Sequence, residues 1–429
     1  MDGLLHLINL CWGFMAVHEV VRSLFVAICA LVFMLTIVLV VIWMERKVAA
    51  DIQSRIGVIR TGGPFCFLLQ SLADALKLLL KEDLRPTGAD RWPFYIAPYL
   101  VFLPAFMAYL ILPFSATWIP QNLKIGILFY SAISSVPVLG IVMAGWASNN
   151  KWSLFGGMRA AAQLISYELP LAMAILAIVL LHGTLETSAI VQDQWHHWWL
   201  MLITLPSFLI FLTAGLAEVS RTPFDLPEAE SELVSGFNTE YSGMRFATFF
   251  LAEFSASFFI SALAVTLFLG GWSLWGVDTW CAANIFHLDV SQWNVAIPAT
   301  IPFLMKVCWF GIFMVKSFLV LWILMWIKWT LPRLRIDQVL NFGWKVLLPL
   351  GLLNLLVMSV VGLYMRPIEP KMAISLNAPV SLPTSDSHAI LPATANFRLP
   401  AAAKSRIPHP PAAPSAHPSV RQPDGHGRQ

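Results

Sequence analysis

Apolar residues occur along this chain in long runs, and the shorter segments between the runs contain most of the charges. A run of about 20 apolar residues is what an α-helix needs to cross the hydrocarbon core of a bilayer. The pattern therefore predicts an all-α polytopic membrane protein with about eight transmembrane helices. The predicted spans are Leu24 to Met44, Phe94 to Phe114, Ile125 to Gly145, Leu164 to Leu181, Leu200 to Leu216, Phe246 to Gly270, Phe303 to Ile327 and Val346 to Met365.

The segment from Pro64 to Leu84 has a different periodicity. Its polar residues Gln70, Asp74, Lys77 and Lys81 are spaced by four, three and four positions, which places them on one face of a helix. Leucines occupy most of the remaining positions. We predict an amphipathic helix that is too short and too charged to span, and that lies at the membrane interface.

The basic residues are distributed unevenly among the predicted loops. The segments after spans one, three, five and seven contain sixteen of the 27 Lys and Arg residues, whereas those after spans two, four and six contain only Lys124. By the positive-inside rule, the basic loops face the cytoplasm. With eight spans, both termini then lie on the opposite side, which is the periplasm if the membrane is the inner (cytoplasmic) membrane of a bacterium.

The composition changes after Met365. Residues 367–429 are rich in Pro, Ala, Ser and His and contain almost no aromatic side chains. Such a segment cannot bury enough apolar surface to offset the entropy of ordering, so we predict a disordered tail. Residues 1–366 are predicted to form the transmembrane helical domain, whose charged loops are residues 45–92, 146–163, 218–245 and 328–345.

The cysteines argue against several classes of redox site. The five cysteines are widely scattered, and the sequence contains neither a C-x-x-C pair nor histidines at metal-ligand spacing. A zinc, haem or iron–sulfur site would need such a ligand set. We therefore expect this chain to have no metal site, no redox centre and no catalytic residue of its own.

The first basic loop begins at the end of span one and contains Arg46 and Arg55 ahead of a Gly62–Pro64 turn. Basic residues beside a span can line the mouth of a polar cavity at headgroup depth. The headgroup of a quinone lies at this depth, and its two carbonyl oxygens need hydrogen-bond donors. The alternative is that basic residues of this loop, such as Lys81 and Arg91, only anchor it to lipid headgroups.

The third basic loop also concentrates carboxylates. Pro223 and Pro227 interrupt any continuous helix there, and irregular backbone at membrane depth is tolerated only when it is buried in protein or lines a cavity. Carboxylates at this density repel one another, which raises the proton affinity of at least one of them, as in a proton relay. The alternative is a solvated acidic loop that binds cations weakly. The carboxylates between Ala217 and Tyr241 are Glu218, Asp225, Glu228, Glu230, Glu232 and Glu240.

Three carboxylates lie near or within the predicted spans, namely Glu168, Glu218 and Glu253. A charge at the bilayer centre costs about 2.5–3.5 kcal/mol on insertion scales, and such residues usually face the bundle interior and mark ion or proton paths. Lys316 in span seven is an intramembrane cation that could pair with one of them. The alternative for Glu168 and Glu218 is an interfacial position exposed to water.

Five segments of the chain resemble a known family. They are ERK at 45–47, ADALKLLLKED at 73–83, GWASNNKWSLFGGMRAAAQLISYE at 145–168, AEVSRTPFDLPEAESELVSGFNTEYSGMRF at 217–246 and LPRLRIDQVLNFGWKVLLPL at 331–350. In order and spacing they are similar to the family of H subunits of bacterial NADH:quinone oxidoreductase, the counterparts of mitochondrial NADH dehydrogenase subunit 1. The resemblance extends from Ile42 to Met365.

This resemblance implies a cofactor-free membrane subunit of respiratory complex I, a proton-translocating enzyme, at the junction with its hydrophilic arm. Quinone is then the substrate, and NADH, FMN and iron–sulfur clusters are bound by partner subunits. The implied partners are the hydrophilic-arm quinone-site subunits, small membrane-arm subunits and membrane lipid, and no nucleic acid. The loops 45–92, 146–163, 218–245 and 328–345 are implied to build the quinone chamber. The residues implied on the quinone-chamber side are Arg46, Arg55, Asp74, Lys77, Lys81, Glu82, Arg221 and Asp225. The residues implied in the acidic proton-coupling chain are Glu168, Glu218, Glu228, Glu230, Glu232 and Glu253.

Two alternatives stay open at this point. The equivalent subunit of a membrane-bound hydrogenase or ferredoxin-linked complex would share the scaffold and use a different electron donor. A stand-alone secondary transporter is disfavoured, because the two halves of the sequence show no convincing self-similarity. The sequence also departs from the family pattern after span one, where QSRIGVI at 53–59 replaces the usual Q-x-R-x-G-P-N. We therefore expect the rim of this loop to differ in shape.

Overall fold

Most of the described chain is helical. The computed structural model describes residues 19–58, 68–197, 199–227, 230–274 and 303–365, and these ranges contain no strand. The prediction of an all-α polytopic membrane protein is confirmed. The helices are α1 (Glu19–Ile52), α2 (Leu68–Leu80), α3 (Arg91–Ala108), α4 (Gly126–Ser134), α5 (Val136–Ala147), α6 (Lys151–His182), α7 (Thr187–His196), α8 (Leu200–Ile203), α9 (Leu205–Glu218), α10 (Glu230–Leu233), α11 (Gly243–Phe268), α12 (Phe303–Thr330), α13 (Ile336–Phe342) and α14 (Leu348–Met365), with a π-helix at Gly343–Leu347.

Seven helical segments of the described ranges are long and apolar enough to cross a membrane, and each matches one predicted span. The remaining predicted span, Leu200 to Leu216, is divided at Thr204 into α8 and the shorter apolar helix α9. Pro206 in the first turn of α9 explains the interruption, because proline has no backbone N–H to continue the preceding helix. The seven segments are Ser23–Ile52, Arg91–Ile111, Gly126–Ala147, Lys151–His182, Gly243–Phe268, Phe303–Thr330 and Ile336–Tyr364.

Helix α6 is longer than predicted. It begins at Lys151, well before the predicted start of span four at Leu164. Asn150 stabilises its first turn, since its side chain accepts a hydrogen bond at 3.0 Å from the backbone N–H two residues later. Most of the predicted loop 146–163 is therefore helical, and Glu168 lies in the interior of the helix.

Helix α11 is at the centre of the fold. Its residues from Phe254 to Phe268 are buried almost without interruption, and it packs against α1, α3, α9 and α12. Gly215 permits the close approach of α9, because a Cβ at this position would come within 2.7 Å of the Ile260 side chain. Glu253 lies in the same helix, so this carboxylate is inside the helix bundle.

The predicted amphipathic segment forms α2. This helix packs against α1 and α11, and Ser71 donates a hydrogen bond to the backbone carbonyl of Leu39 at 3.0 Å. Its placement at the membrane interface stays a prediction, and the predicted tail, residues 367–429, lies outside the described residues. The exposed leucines of α2 are Leu69, Leu72, Leu76, Leu79 and Leu80.

Candidate functional site

The charged segment after α9 starts with an irregular turn that neighbouring helices enclose. Ser220 adopts a left-handed conformation, with φ 54°, just after the helix ends. The buried Gln163 of α6 donates from Nε2 to the backbone carbonyls of Ala217 and Phe224, both at 2.7 Å. These bonds give hydrogen-bond donors to two carbonyls of a turn through which no helix continues. The irregular backbone is thus stabilised by a side chain from another helix, as an apolar environment requires.

Arg221 follows the end of α9 and links two carboxylates that are far apart in the sequence. Its Nη1 lies 3.0 Å from Glu45 Oε1, and its Nη2 lies 3.0 Å from Glu253 Oε1. Lys328 of α12 donates a further hydrogen bond to Glu45. All four side chains are at most 20% exposed. Two cations therefore compensate two anions, which is the condition for burying such charges.

A cavity of about 140 Å³ lies next to this cluster, among α3, α4, α9 and α11. Its walls are mostly apolar, and its polar lining includes Glu218, Glu253, Tyr130 and Ser220. The Tyr130 hydroxyl donates toward the Glu218 carboxylate, whose two oxygens are 3.3 Å and 3.5 Å away. The volume has room for several water molecules, and polar groups that converge in an apolar cavity are typical of a binding site.

A second cavity, of about 20 Å³, shares Val219 with the first. Glu45, Arg221 and Lys328 contribute to its lining. This volume is sufficient for one water molecule. The titratable groups of the site therefore lie in two adjacent cavities that have one valine in common.

Glu168 of α6 belongs to the same electrostatic environment. It is close enough to Glu218 and to Tyr130 for its charge to act on both. Asp225, in the turn after α9, acts in the same way on Glu253. Neighbouring negative charges repel one another, so the protonation of one of these carboxylates depends on the charge of the others.

Glu232 lies apart from this buried group in an exposed ion pair. Arg159 Nη1 donates to Glu232 Oε2 at 2.6 Å. This hydrogen bond holds the pKa of the Glu232 carboxyl below its usual value, and the charges of Arg159, Arg333 and Arg335 act in the same direction. The pair connects α6 to α10 on the surface of the described structure.

The first-loop residues form another exposed group, around α2. Arg46 Nη1 lies 2.5 Å from Asp74 Oδ2, which connects the last part of α1 to α2. Arg245 pairs with Asp83 at 2.7 Å, and its guanidinium lies 3.9 Å from the ring centroid of Tyr95. The side chains of Arg46 and Asp83 are exposed, whereas that of Arg245 is only 15% exposed. Four other predicted quinone-chamber residues of the first loop have exposed side chains and line neither cavity. They are Arg55, Lys77, Lys81 and Glu82.

Comparison with known proteins identifies the family. The sequence model described as NADH dehydrogenase matches residues 25–359. The chain belongs to the NADH dehydrogenase family. The H subunit of the NADH-quinone oxidoreductase of Phocaeicola vulgatus is 44% identical over 350 residues, which cover 80% of this chain and 92% of that protein. The H subunit from Geobacillus kaustophilus is 46% identical over 317 residues, covering 74% of this chain and 87% of the relative. The resemblance predicted from the five segments is confirmed.

For this member of the NADH dehydrogenase family, the structure brings together some predicted residues and separates others. Arg221, predicted on the quinone-chamber side, binds Glu253, predicted in the acidic chain, so the two predicted sets meet at one ion pair. Lys316, considered as a partner for a membrane carboxylate, donates to backbone carbonyls just beyond the end of α11, and its pairing with a carboxylate stays a prediction. The side chain of Glu230 is not described, and Glu228 lies outside the described residues.

Three members of the site are missing from the predicted set. In the sequence, Glu45 stands out only as part of the ERK motif, Lys328 only as the start of a basic loop, and Tyr130 not at all. No local sequence signal marks Glu45 and Lys328 as partners, and only the structure shows that each lies within a helix that continues beyond it, to Ile52 and Thr330. Among the residues that the structure describes, no group of three or more His, Cys, Asp or Glu side chains is arranged to hold a metal ion.

Proposed function

We propose that this chain is the cofactor-free membrane subunit of a proton-translocating NADH:quinone oxidoreductase, where it forms much of the quinone chamber and the start of the acidic proton-coupling chain. The observation that carries the proposal is the Arg221 bridge between Glu45 and Glu253, beside a cavity that Glu218 also lines. The names of the relatives support the same conclusion, since the proteins of Phocaeicola vulgatus and Geobacillus kaustophilus are subunits of NADH-quinone oxidoreductases.

Quinone reduction would act on these groups through charge. Two-electron reduction of a quinone creates a demand for two protons, and each proton supplied changes the local charge. Nearby carboxylates respond through changed proton affinity. Arg221 is positioned to transmit the response: a proton gained by Glu253 would weaken its attraction for Arg221, and the guanidinium would then pair more strongly with Glu45.

The larger cavity offers the next step of the proposed chain. Glu218 and Glu253 both line it, so water in this cavity would connect the two carboxylates. The Tyr130 hydroxyl donates toward Glu218, and Glu168 lies within electrostatic reach. We place Glu228, Glu230 and Glu232 at the loop end of the same chain.

The exposed first-loop group is the proposed wall of the quinone chamber. Arg46 and Asp74 fix α2 against α1, and hydrophilic-arm subunits would close the chamber from the other side. NADH, FMN and the iron–sulfur clusters are proposed to be bound by those partners, and small membrane-arm subunits to flank the chain. The remaining members of the wall are Arg55, Lys77, Lys81 and Glu82.

The proposed membrane placement follows the distribution of basic residues. The basic loops face the cytoplasm, both termini face the periplasm, and the membrane is the bacterial inner membrane. Residues 1–366 form the membrane domain in this proposal, and residues 367–429 form a disordered tail. Cysteine accessibility to an impermeant maleimide on the two sides of oriented vesicles tests this placement.

The experiment that tests the function replaces Glu218 by Gln in the intact complex. Membrane vesicles from the host are assayed for NADH:quinone reductase activity and for proton uptake per NADH oxidised. We expect Glu218→Gln to lower the rate or the proton stoichiometry at least threefold, because Gln cannot exchange a proton. Assembly, measured on a native gel, should be unchanged, since Gln preserves the shape and can still accept the Tyr130 hydrogen bond.

The matched control is Glu186→Gln. Glu186 is also a hydrogen-bonded carboxylate, accepting from Asn122 at 2.8 Å and from Ser188 at 2.5 Å, but it lies at the start of α7, outside both cavities. We expect wild-type rates and stoichiometry for this control. Wild-type behaviour of assembled Glu218→Gln would contradict the proposed role of Glu218.

A parallel test uses Glu228→Gln, which we expect to lower quinone reduction or proton pumping while leaving assembly intact. The reason is the proposed loop position of Glu228 in the acidic chain. Normal rates and normal stoichiometry in this variant would remove Glu228 from the chain.

A further inference from the structure

A polar groove lies where the start of α3, the end of α5 and the start of α6 meet. It consists of two adjoining hollows of about 410 Å³ and 520 Å³. The groove is separate from the two cavities beside Arg221. Most of its lining lies in the predicted quinone-chamber loops 45–92, 146–163 and 218–245, but none of its residues is among those predicted individually for the chamber or for the proton-coupling chain. The residues that line both hollows are Gly88, Asn149, Asn150 and Lys151.

Charges of both signs line this groove. Lys151 is common to the two hollows, Asp90 lines one of them and Glu240 lines the other. The Glu240 carboxylate is oriented by Asn150, whose Nδ2 donates to Oε1 at 2.7 Å. The groove therefore offers one ammonium group with a carboxylate on each side, which complements a ligand that itself carries both a negative and a positive group.

The backbone around the groove is fixed by short-range contacts. The N–H of Asp90 donates to the carbonyl of Ala147 at 3.0 Å, which connects the start of α3 to the end of α5. Asn149 adopts a left-handed conformation with φ 49°. Its amide lies against Gly88, where a Cβ would come within 2.8 Å of the Asn149 Nδ2. The side chains of the groove are therefore presented by a preformed frame.

Exposed tryptophans surround the groove. Trp92 follows Asp90 by two residues and is 75% exposed, Trp146 lines one hollow and is 67% exposed, and Trp152 is 45% exposed. The Lys151 ammonium lies 5.2 Å from the ring centroid of Trp152. Trp is enriched at the level of lipid headgroups, where its ring is amphipathic enough to occupy the boundary. The groove thus has the surroundings expected at headgroup depth.

An exposed apolar surface continues from the groove along α3 and α5. On α5, Leu139 precedes Trp146 by seven residues, which places both on one face, and it is 67% exposed. On α3, exposed side chains recur at the helical spacing of four, three and four positions. They are Trp92, Ile96, Tyr99 and Leu103.

We propose that the groove binds a phospholipid whose headgroup carries both a phosphate and an ammonium group. Lys151 and Asn149 bind the phosphate, Asp90 and Glu240 bind the ammonium, and the acyl chains lie along the exposed faces of α3 and α5. A free zwitterion in solution would not need the tryptophans or the apolar faces. An anionic headgroup without an ammonium would leave two carboxylates facing a negative ligand, which is unfavourable.

The test uses the intact complex, purified from membranes in mild detergent and placed in vesicles of phosphatidylethanolamine and phosphatidylglycerol. In one sample the phosphatidylethanolamine, and in the other the phosphatidylglycerol, carries a photoreactive diazirine in an acyl chain. After illumination, labelled peptides are quantified by mass spectrometry. We expect phosphatidylethanolamine to label the peptides that contain Leu139 and Tyr99 at least threefold more than phosphatidylglycerol does.

Variants test which residues select the headgroup. Lys151→Gln should reduce the labelling by phosphatidylethanolamine at least threefold, and Lys151→Arg should restore it. One matched control is Lys124→Gln, which removes an exposed lysine just before the start of α4. The other is Trp322→Ala, which removes an exposed tryptophan of α12. Neither change should alter the labelling by phosphatidylethanolamine.

Three results would overturn the proposal. The first is equal labelling by the two lipids in the wild-type complex, a comparison that needs no variant to fold. The second is labelling that is insensitive to Lys151→Gln in an assembled complex. The third is a cross-link between a partner subunit and these peptides, with no lipid label on them. That result would show that protein and not lipid covers the exposed faces of α3 and α5.

Discussion

Two lysines of α12 show how differently this chain uses a cation between apolar helices. Lys328 donates to the Glu45 carboxylate, which also binds Arg221, and both basic side chains line a cavity. Lys316 donates to three backbone carbonyls, those of Leu269 at 2.8 Å, Gly271 at 3.3 Å and Ser273 at 2.5 Å. A carboxylate partner can gain a proton, whereas a peptide carbonyl cannot. The contact that Lys328 makes with Glu45 can therefore change its charge, whereas the contacts that Lys316 makes with these carbonyls cannot and hold the chain just after α11.

Other polar side chains also hold the end of α11 in place. Gln194 donates to the carbonyl of Leu267 at 2.5 Å and accepts from the N–H of Gly270 at 3.0 Å. The buried His182 lies 2.6 Å from Asp193 through Nδ1. Together these contacts fasten the end of α11 to α6 and α7. The comparison teaches that the contacts of a charge between membrane helices, and not the charge alone, decide whether we include it in the proposed proton-coupling group.

The largest effect is expected for Arg221→Met. This change leaves Glu45 and Glu253 without a shared cation in a buried site, and removing one partner of a buried ion pair typically costs about 3–5 kcal/mol. We expect loss of the assembled complex, or a large fall in its melting temperature in detergent. The measurement is differential scanning fluorimetry together with native-gel assembly.

A double variant sharpens this prediction. Lys328 still pairs with Glu45 after Arg221→Met, so Glu253 is the anion that loses its cation. Adding Glu253→Gln removes this uncompensated charge, so part of the lost stability should return. Equal destabilisation in the single and double variants would mean that the Arg221–Glu253 contact contributes nothing to stability, and the contrast between the ion pairs near Lys328 and the carbonyl contacts of Lys316 would fail.

A smaller effect is expected for Lys316→Met. The change removes charged hydrogen bonds to carbonyls, and a hydrogen bond to a charged group contributes about 1.5–3 kcal/mol. We expect a lower melting temperature but an unchanged number of protons pumped per NADH in the complex that assembles. A changed proton stoichiometry would include Lys316 in the proposed proton-coupling chain and would contradict the contrast between Lys316 and Lys328.

The smallest effect is expected for the exposed Arg159–Glu232 pair. Because the folded state lowers the pKa of Glu232, the pair contributes stability above the ordinary carboxyl pKa of 4.5 and loses it as the pH falls through the lowered value. Exposed pairs contribute roughly 0.2–1 kcal/mol. Glu232→Gln should therefore slightly reduce the dependence of the melting temperature on pH in the acid range, and it should change the melting temperature little at neutral pH. An effect as large as that of Arg221→Met would contradict the assignment of Glu232 to the exposed surface.

The helices could be predicted from the sequence because their signal is local. Apolar runs and the spacing of polar residues identified seven spans and α2, and the one divided span contains Pro206 at its break. The early start of α6 escaped prediction because the polar residues before Leu164 resemble a loop, whereas Asn150 caps a helix there.

The site was predicted less completely, because its pairings are long-range. Arg221 and Glu45 are 176 positions apart, and Lys328 and Glu45 are 283 apart. No local pattern specifies which buried cation meets which carboxylate. The sequence did identify Glu218, Glu253 and Arg221, since a charge between apolar runs stands out without knowledge of its partner.

The position at which α9 ends brings the negative end of its helix dipole close to the charged side chains of the site. An α-helix carries a macrodipole equivalent to about half a negative charge at its C-terminus, and the effect is confined to the last turn. Glu218 is the last residue of α9, and Arg221 comes three positions later. The same helix end therefore opposes a negative charge on Glu218 and favours the positive charge of Arg221. A helix that continued for another turn would move its negative end away from both side chains, so the length of α9 itself contributes to the polarity of the site.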